Sequence, residues 1–284
     1  MEKKQFTINQ HYIPRFILKN FTENNMLQVA DISGKSTRYF STSPERICSE
    51  KDLYEIKNSD GTYFDRNIIE DRFSSIESWL APRLIDLIQK CSDVQHRLDG
   101  DQDATLAMLF ALQLSRLPEI KERIHCSDAV GDLEKNYIYA SFVHSHQTAI
   151  AYLNNNNVTI NPDLLKDNEE KTLIDTIASY LLSNCFFYVL DATNSDEKFV
   201  IADQSVLITP FEDVHCLLSV SPEFAVACCK FATARGNQTE GVVVAPNELV
   251  HKINMQSHKQ CRKFLIAKEF TGTYKMFLEG KNDK

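Results

Sequence analysis

From Ala104 to Leu117 the chain is apolar on nearly every side, and yet Gln113 and Arg116 stand inside that stretch. A helix that is hydrophobic all round has to be buried, so this one belongs at the centre of the core. Gln113 follows Leu109 by four residues and precedes Leu117 by four, which puts it on the apolar stripe, and Arg116 lies on the adjacent face. A guanidinium in that position needs an anionic partner, because an unpaired buried charge is strongly destabilising. Glu70 and Glu77 are the evident candidates. They sit in a helical pattern beginning at Asp65, in which Ile68, Ile69, Phe73, Ile76, Trp79 and Leu80 mark one buried face. Either a buried Arg–Glu pair fixes the packing of two helices, or Gln113 and Arg116 meet a ligand in a pocket. Glu70 and Glu77 are two turns apart, roughly 10 Å along the axis, which disfavours a metal ion shared between them. Pro82 is expected to break or kink the helix, with Leu84, Ile85, Leu87 and Ile88 carrying a second stretch to about Cys91.

A second concentration of information is the segment from Asn9 to Phe21. Tyr12, Ile13, Phe16, Ile17 and Phe21 follow one helical face, and Pro14 suits a first turn, so the spacing predicts a short helix starting near Ile13. His11 and Arg15, four apart, would then leave the same side, with Asn9 just before them. Read chemically, His11 is an acid, base or metal ligand and Arg15 holds an anion, with Asn9 and Gln113 as ligand-binding groups. Read structurally, His11 caps the helix and Arg15 pairs with a core carboxylate.

The remaining pattern is mixed. Met26–Asp31 and Thr37–Phe40 read as a hairpin turning at Ser33–Ser36, Ser43–Arg46 as a short helix, and Asn58–Gly61 as a turn. Residues 118–153 supply a further helix or two, in which His144 and His146 point in different directions. The polar tract 154–157 with Asn161-Pro162 suggests a boundary between halves at 1–153 and 154–284, or a loop within one continuous domain. A helix over 167–184 leads into short strand-like runs at 186–190, 199–202, 206–208, 214–220 and 224–229. A helix from Pro246 to about Cys261 and a strand over 263–267 follow, and the last residues, 280–284, are expected to fray. The expected class is α+β, a helical N-terminal half with a small hairpin packed on a mostly antiparallel C-terminal sheet. Asp203, at a strand end, either joins His11, Arg15, Glu70 and Arg116 in a site or serves as a turn former.

Composition narrows the function. Only eight glycines occur in 284 residues, and neither Gly-x-x-x-x-Gly-Lys nor Gly-x-Gly-x-x-Gly is present, which argues against the common nucleotide cradles. A net charge of −8 disfavours broad attraction to nucleic acid or anionic membrane, although a local basic groove is compatible with it. Eight cysteines without a Cys-x-x-Cys pair, and no signal peptide ahead of them, fit free thiols in a reducing cytoplasm. No apolar run approaches the length of about 20 residues that spans a bilayer, so no membrane role is expected.

The run His11-Tyr-Ile-Pro-Arg-Phe-Ile-Leu-Lys-Asn-Phe21 resembles the opening signature of the bacterial domain-of-unknown-function family 4238. Three later segments resemble that family in the same order: Ile69-Glu70 with Glu77, Leu112–Pro118, and Phe199–Val206, where Gln204-Ser205 replaces the family's usual Asn-Pro. The resemblance covers most of the chain and implies a bacterial setting, but it supplies no reaction. From the residues, the leading expectation is a nuclease-like hydrolase of phosphodiesters. In it His11 is the acid or base, Arg15 and Arg116 bear phosphate charge, and Glu70 or Asp203 orients water or a divalent metal. The alternative is a non-catalytic binding protein or inhibitor that recognises a protein partner or a small anionic ligand. An effector or inhibitor in conflict between bacteria and phage, which either class of activity could serve, is a third expectation beside them.

Overall fold

The computed structural model describes residues 6–126, 131–158, 172–209, 214–230 and 241–280. Six short strands come first: β1 (Asn9–His11), β2 (Leu27–Asp31), β3 (Arg38–Thr42), β4 (Ser49–Lys51), β5 (Ile56–Lys57) and β6 (Tyr63–Phe64). Helix α1 (Arg15–Lys19) lies between β1 and β2. The central helices are α2 (Ile68–Lys90), α3 (Gly100–Arg116), α4 (Pro118–His125), α5 (Asp132–Val143), α6 (His146–Asn155) and α7 (Leu173–Asn184). Strands β7 (Cys185–Asp191), β8 (Ile201–Ala202), β9 (Val206–Ile208), β10 (Cys216–Ser219), β11 (Phe224–Lys230) and β12 (Gly241–Val244) follow, then α8 (Asn247–Gln260), β13 (Phe264–Ala267) and α9 (Gly272–Leu278).

The class is α+β, but its strands are not confined to the C-terminal half. Strands β1 to β6 all precede residue 65, and the hairpin β2–β3 is half of a four-stranded sheet ordered β3-β2-β13-β8. The expectation of a helical N-terminal half is corrected on this point. Extended runs of two to five residues carry too little periodicity to announce a sheet, and their partners lie far away in sequence. The larger sheet runs β12-β7-β11-β10-β9, antiparallel except where β12 lies parallel to β7.

Alternation along that sheet explains its place in the core. Phe187, Val189, Leu218, Val226 and Cys228 enter the main cluster with the helices, where Phe110 of α3 stacks on Phe187 at 6.0 Å. Leu190, Leu207, Leu217 and Ala225 face the other way, onto Val250 and Ile253 of α8. The sheet is thus covered on both faces. Helix α3 is the buried centre that its sequence requires. It starts at Asp99, whose side chain accepts from Gln102 N while Gln102 returns a bond to the Asp99 backbone, a complete capping box.

Two expectations about helices change. The first helix begins at Arg15 instead of Ile13, because a residue before proline is pushed toward extended geometry, and His11 therefore lies in β1. Helix α2 runs unbroken through Pro82. Pro82 and Ser78 both lie on the exposed side, so the carbonyl that proline leaves unpaired faces water. Trp79, expected in the core, is 40% exposed and carries the Arg83 guanidinium over its ring at 4.2 Å. Pro82→Ala should raise stability by about 1–3 kcal/mol by restoring one helical hydrogen bond, checked by urea denaturation. A loss would mean that the proline ring itself is needed for packing.

Candidate functional site

Arg116, at the end of α3, is 1% exposed and forms the hub where β1, α2 and α3 meet. Its guanidinium pairs with Glu77 and lies 3.7 Å from Glu70 Oε2, so the expected buried arginine–glutamate contact is present with both carboxylates. The same side chain donates to the His11 carbonyl and sits over the Phe73 ring at 5.0 Å. Tyr54 completes the enclosure: its hydroxyl lies 3.0 Å from the carbonyls of His11 and Arg116. Gln113 Nε2 donates to the Tyr12 carbonyl at 2.8 Å. Carbonyls of the opening signature are thus read by side chains of α3.

His11 enters this hub through its backbone; its ring points elsewhere, with Nε2 3.1 Å from the Pro44 carbonyl. Burial holds the imidazole below its usual range, against the pull of that carbonyl, and Arg15 and Arg116 add to the lowering. Burial also pushes the Glu70 carboxyl up, more than Arg116 draws it down. Arg15 is exposed and makes no ion pair or hydrogen bond among the described residues, yet its charge reaches both His11 and Glu70. His11, Arg15, Glu70, Glu77, Arg116 and Gln113 therefore gather in one region.

Asp203 has a different place. Its carboxylate, on a residue 5% exposed, accepts from four backbone N–H groups, those of Gln204 (3.0 Å), Arg262 (2.8 Å), Lys263 (2.8 Å) and Phe264 (3.1 Å). No described contact joins it to His11, Glu70 or Arg116, and it lies toward Tyr12 and Arg262 along a cleft of about 260 Å3. Asn9 is exposed and pairs in register with Lys51. Among the described residues no group of three or more His, Cys, Asp or Glu side chains is placed to hold a metal ion, and all eight cysteines are free thiols.

Lys51 leads to a feature that sequence reasoning missed. A cavity of about 580 Å3 opens between the segment Lys51–Lys57 and helices α4 and α5. The carboxylates on its wall are already engaged: Asp52 with Arg66 at 3.0 Å and Tyr63 at 2.9 Å, Glu55 with Gln10 at 2.9 Å, Asp132 with Lys135 at 3.7 Å. Lys51 and Lys57 are exposed and form no described ion pair. Lys121 Nζ is fixed between the carbonyls of Leu53 (2.7 Å) and Glu55 (2.8 Å), and His125 beside it is held through both ring nitrogens. Gln10, fully buried, ties hub to cavity, accepting from Tyr54 N at 2.6 Å while donating to Glu55. Had β1 been recognised as a strand, period-two alternation would have turned Gln10 inward between exposed Asn9 and half-buried His11.

Burial brings Lys121 down to about 8 from its ordinary 10.5, with Glu55 opposing. The folded state therefore disfavours the charged amine, and the resulting penalty is relieved as pH climbs from about 8 to 10.5. Urea midpoints for wild type should rise over that window relative to Lys121→Met; parallel curves would show an ordinary lysine.

Fold and site define an α+β protein with a buried arginine–glutamate hub and, on its flank, a lysine-lined cavity. No helix among the described residues is long and apolar enough to cross a membrane. The chain belongs to the family described as protein of unknown function (DUF4238), whose model matches residues 9–270. Neither curated proteins nor solved structures give a match.

Proposed function

We propose that the protein binds a small anionic ligand in the cavity beside α4. The observation that supports this reading is the state of the charges: the carboxylates on the wall have partners, whereas Lys51 and Lys57 form no described ion pair. Lysines without a described ion pair on the wall of a concave site, beside carboxylates that already have partners, favour an anion. Inorganic phosphate, pyrophosphate and a panel of phosphorylated metabolites should be screened by thermal shift. At about 100 times Kd a ligand adds about 2.7 kcal/mol of apparent stability, a rise of several degrees. The Lys51→Glu, Lys57→Glu double variant should melt like wild type without ligand and lose the shift. A shift that survives the double variant, or none in wild type, removes the reading.

A second reading, a nuclease-like hydrolase of phosphodiesters, draws on Arg15, a guanidinium with no ion pair among the described residues, whose charge reaches an imidazole that burial shifts down and a carboxyl that burial shifts up. In it Arg15 holds the phosphate and His11, whose ring lies outside the Arg116–Glu70 hub, exchanges a proton with it. Cleavage of an oligonucleotide that disappears in Arg15→Ala would favour this reading over simple binding.

A further inference from the structure

We infer that Lys121 forms a reversible imine with an aldehyde-bearing anionic ligand in the cavity between Lys51–Lys57 and α4. This rests on the anion-binding reading and deepens it by naming the ligand class. The geometry is that of an oriented amine. Two of the nitrogen's protons are held by the Leu53 and Glu55 carbonyls, at 2.7 and 2.8 Å, which fixes the side chain on the cavity wall and leaves one valence of Nζ for an incoming group. Lys121 also lines the neighbouring cleft with Lys51 and Pro118. Nζ also lies over the Tyr139 ring, 5.3 Å from its centroid, which together with the two carbonyls fixes where the nitrogen sits on the wall.

The nearby lysines supply the other half of the recognition. Lys51 and Lys57 stand on the same wall, ready to take a phosphate or carboxylate while the carbonyl carbon faces Lys121. A nucleobase is disfavoured as the rest of the ligand, because the Tyr63 ring already carries the Arg66 guanidinium at 4.5 Å and Lys57 Nζ at 5.7 Å. Compact phosphorylated aldehydes fit these terms best.

The step balances without a further reagent. The ammonium first yields one proton to solvent, and the free amine nitrogen attacks the carbonyl carbon, forming C–N as the C=O pair moves to oxygen. The carbinolamine oxygen leaves as water after gaining protons. Overall, ammonium and aldehyde become iminium and water, and the product nitrogen keeps one N–H for one of the two backbone carbonyls.

Pyridoxal 5′-phosphate is a suitable probe, with borohydride added to reduce the imine to a stable secondary amine and peptide mapping by mass spectrometry to locate it. The expected result is one dominant adduct at Lys121, suppressed by pyrophosphate and formed about tenfold less with pyridoxal, which lacks the phosphate. Lys121→Arg, which keeps two donors for the carbonyls, should fold and lose that adduct. Labelling spread over exposed lysines, with Lys121 unmodified, overturns the inference. If pyrophosphate still raises the melting temperature in that case, the anion-binding reading stands while the imine falls; if pyrophosphate has no effect either, both fall. An adduct at Lys121 that is equal with pyridoxal and indifferent to pyrophosphate overturns the anionic part.

Discussion

Arg116→Ala is expected to lower stability by about 3–5 kcal/mol, because it leaves Glu70 and Glu77 facing a buried void with no counter-charge. That is a large share of the roughly 5–15 kcal/mol by which folded proteins exceed their unfolded states, so the melting temperature should fall by on the order of 10 °C. The His11 carbonyl loses one of its two donors, keeping only the Tyr54 hydroxyl, and Phe73 loses the cation above its ring. A triple variant, Arg116→Met with Glu70→Gln and Glu77→Gln, should recover part of the loss, since an apolar or neutral hub avoids the cost of uncompensated charge. Calorimetry of the single and triple variants decides it. If Arg116→Ala melts close to wild type, the guanidinium is not a packing element, and its place beside Glu70 would then point to chemistry.

Asp203→Asn should cost about 3 kcal/mol despite the small change in shape. The carboxylate receives four backbone N–H bonds, and an amide offers one oxygen and turns a donor toward other donors. At least two of these part-buried N–H groups would be left without acceptors, each worth about 1–3 kcal/mol. Hydrogen exchange gives the sharper readout: the amides of Arg262, Lys263 and Phe264 should exchange much faster, while those of α3 change only as far as global stability does. Unchanged protection at these three amides would refute the assignment.

These two residues also show what could be read in the chain beforehand. Arg116 was legible because a charge inside an all-round apolar helix has few physical solutions, and the glutamates on the neighbouring amphipathic helix were the nearest. The hairpin β2–β3 was legible from its alternation and turn, and its register runs from Leu27↔Thr42 to Asp31↔Arg38. Asp203 was ambiguous, since an aspartate at a strand end looks the same whether it faces substrate or backbone. Lys121 gave no signal: a lysine on a short polar helix is indistinguishable from a solvated one until its stem is seen to cross to the Leu53 and Glu55 carbonyls. The pairing of β1 with β4 was likewise hidden, because three residues contain barely one period of alternation.

The position of β13 between β2 and β8 bears on how the chain is made. Ile266 pairs with Val29 on one side and Ile201 on the other, so the early hairpin leaves the ribosome with one edge open and waits for a strand synthesised much later. Until then its exposed edge can pair with other nascent chains, and closing the sheet requires one of the longest loops the chain can form. Vectorial synthesis thus cannot complete the fold piece by piece from the N-terminus, and holding that hairpin unpaired during translation is a natural task for a chaperone.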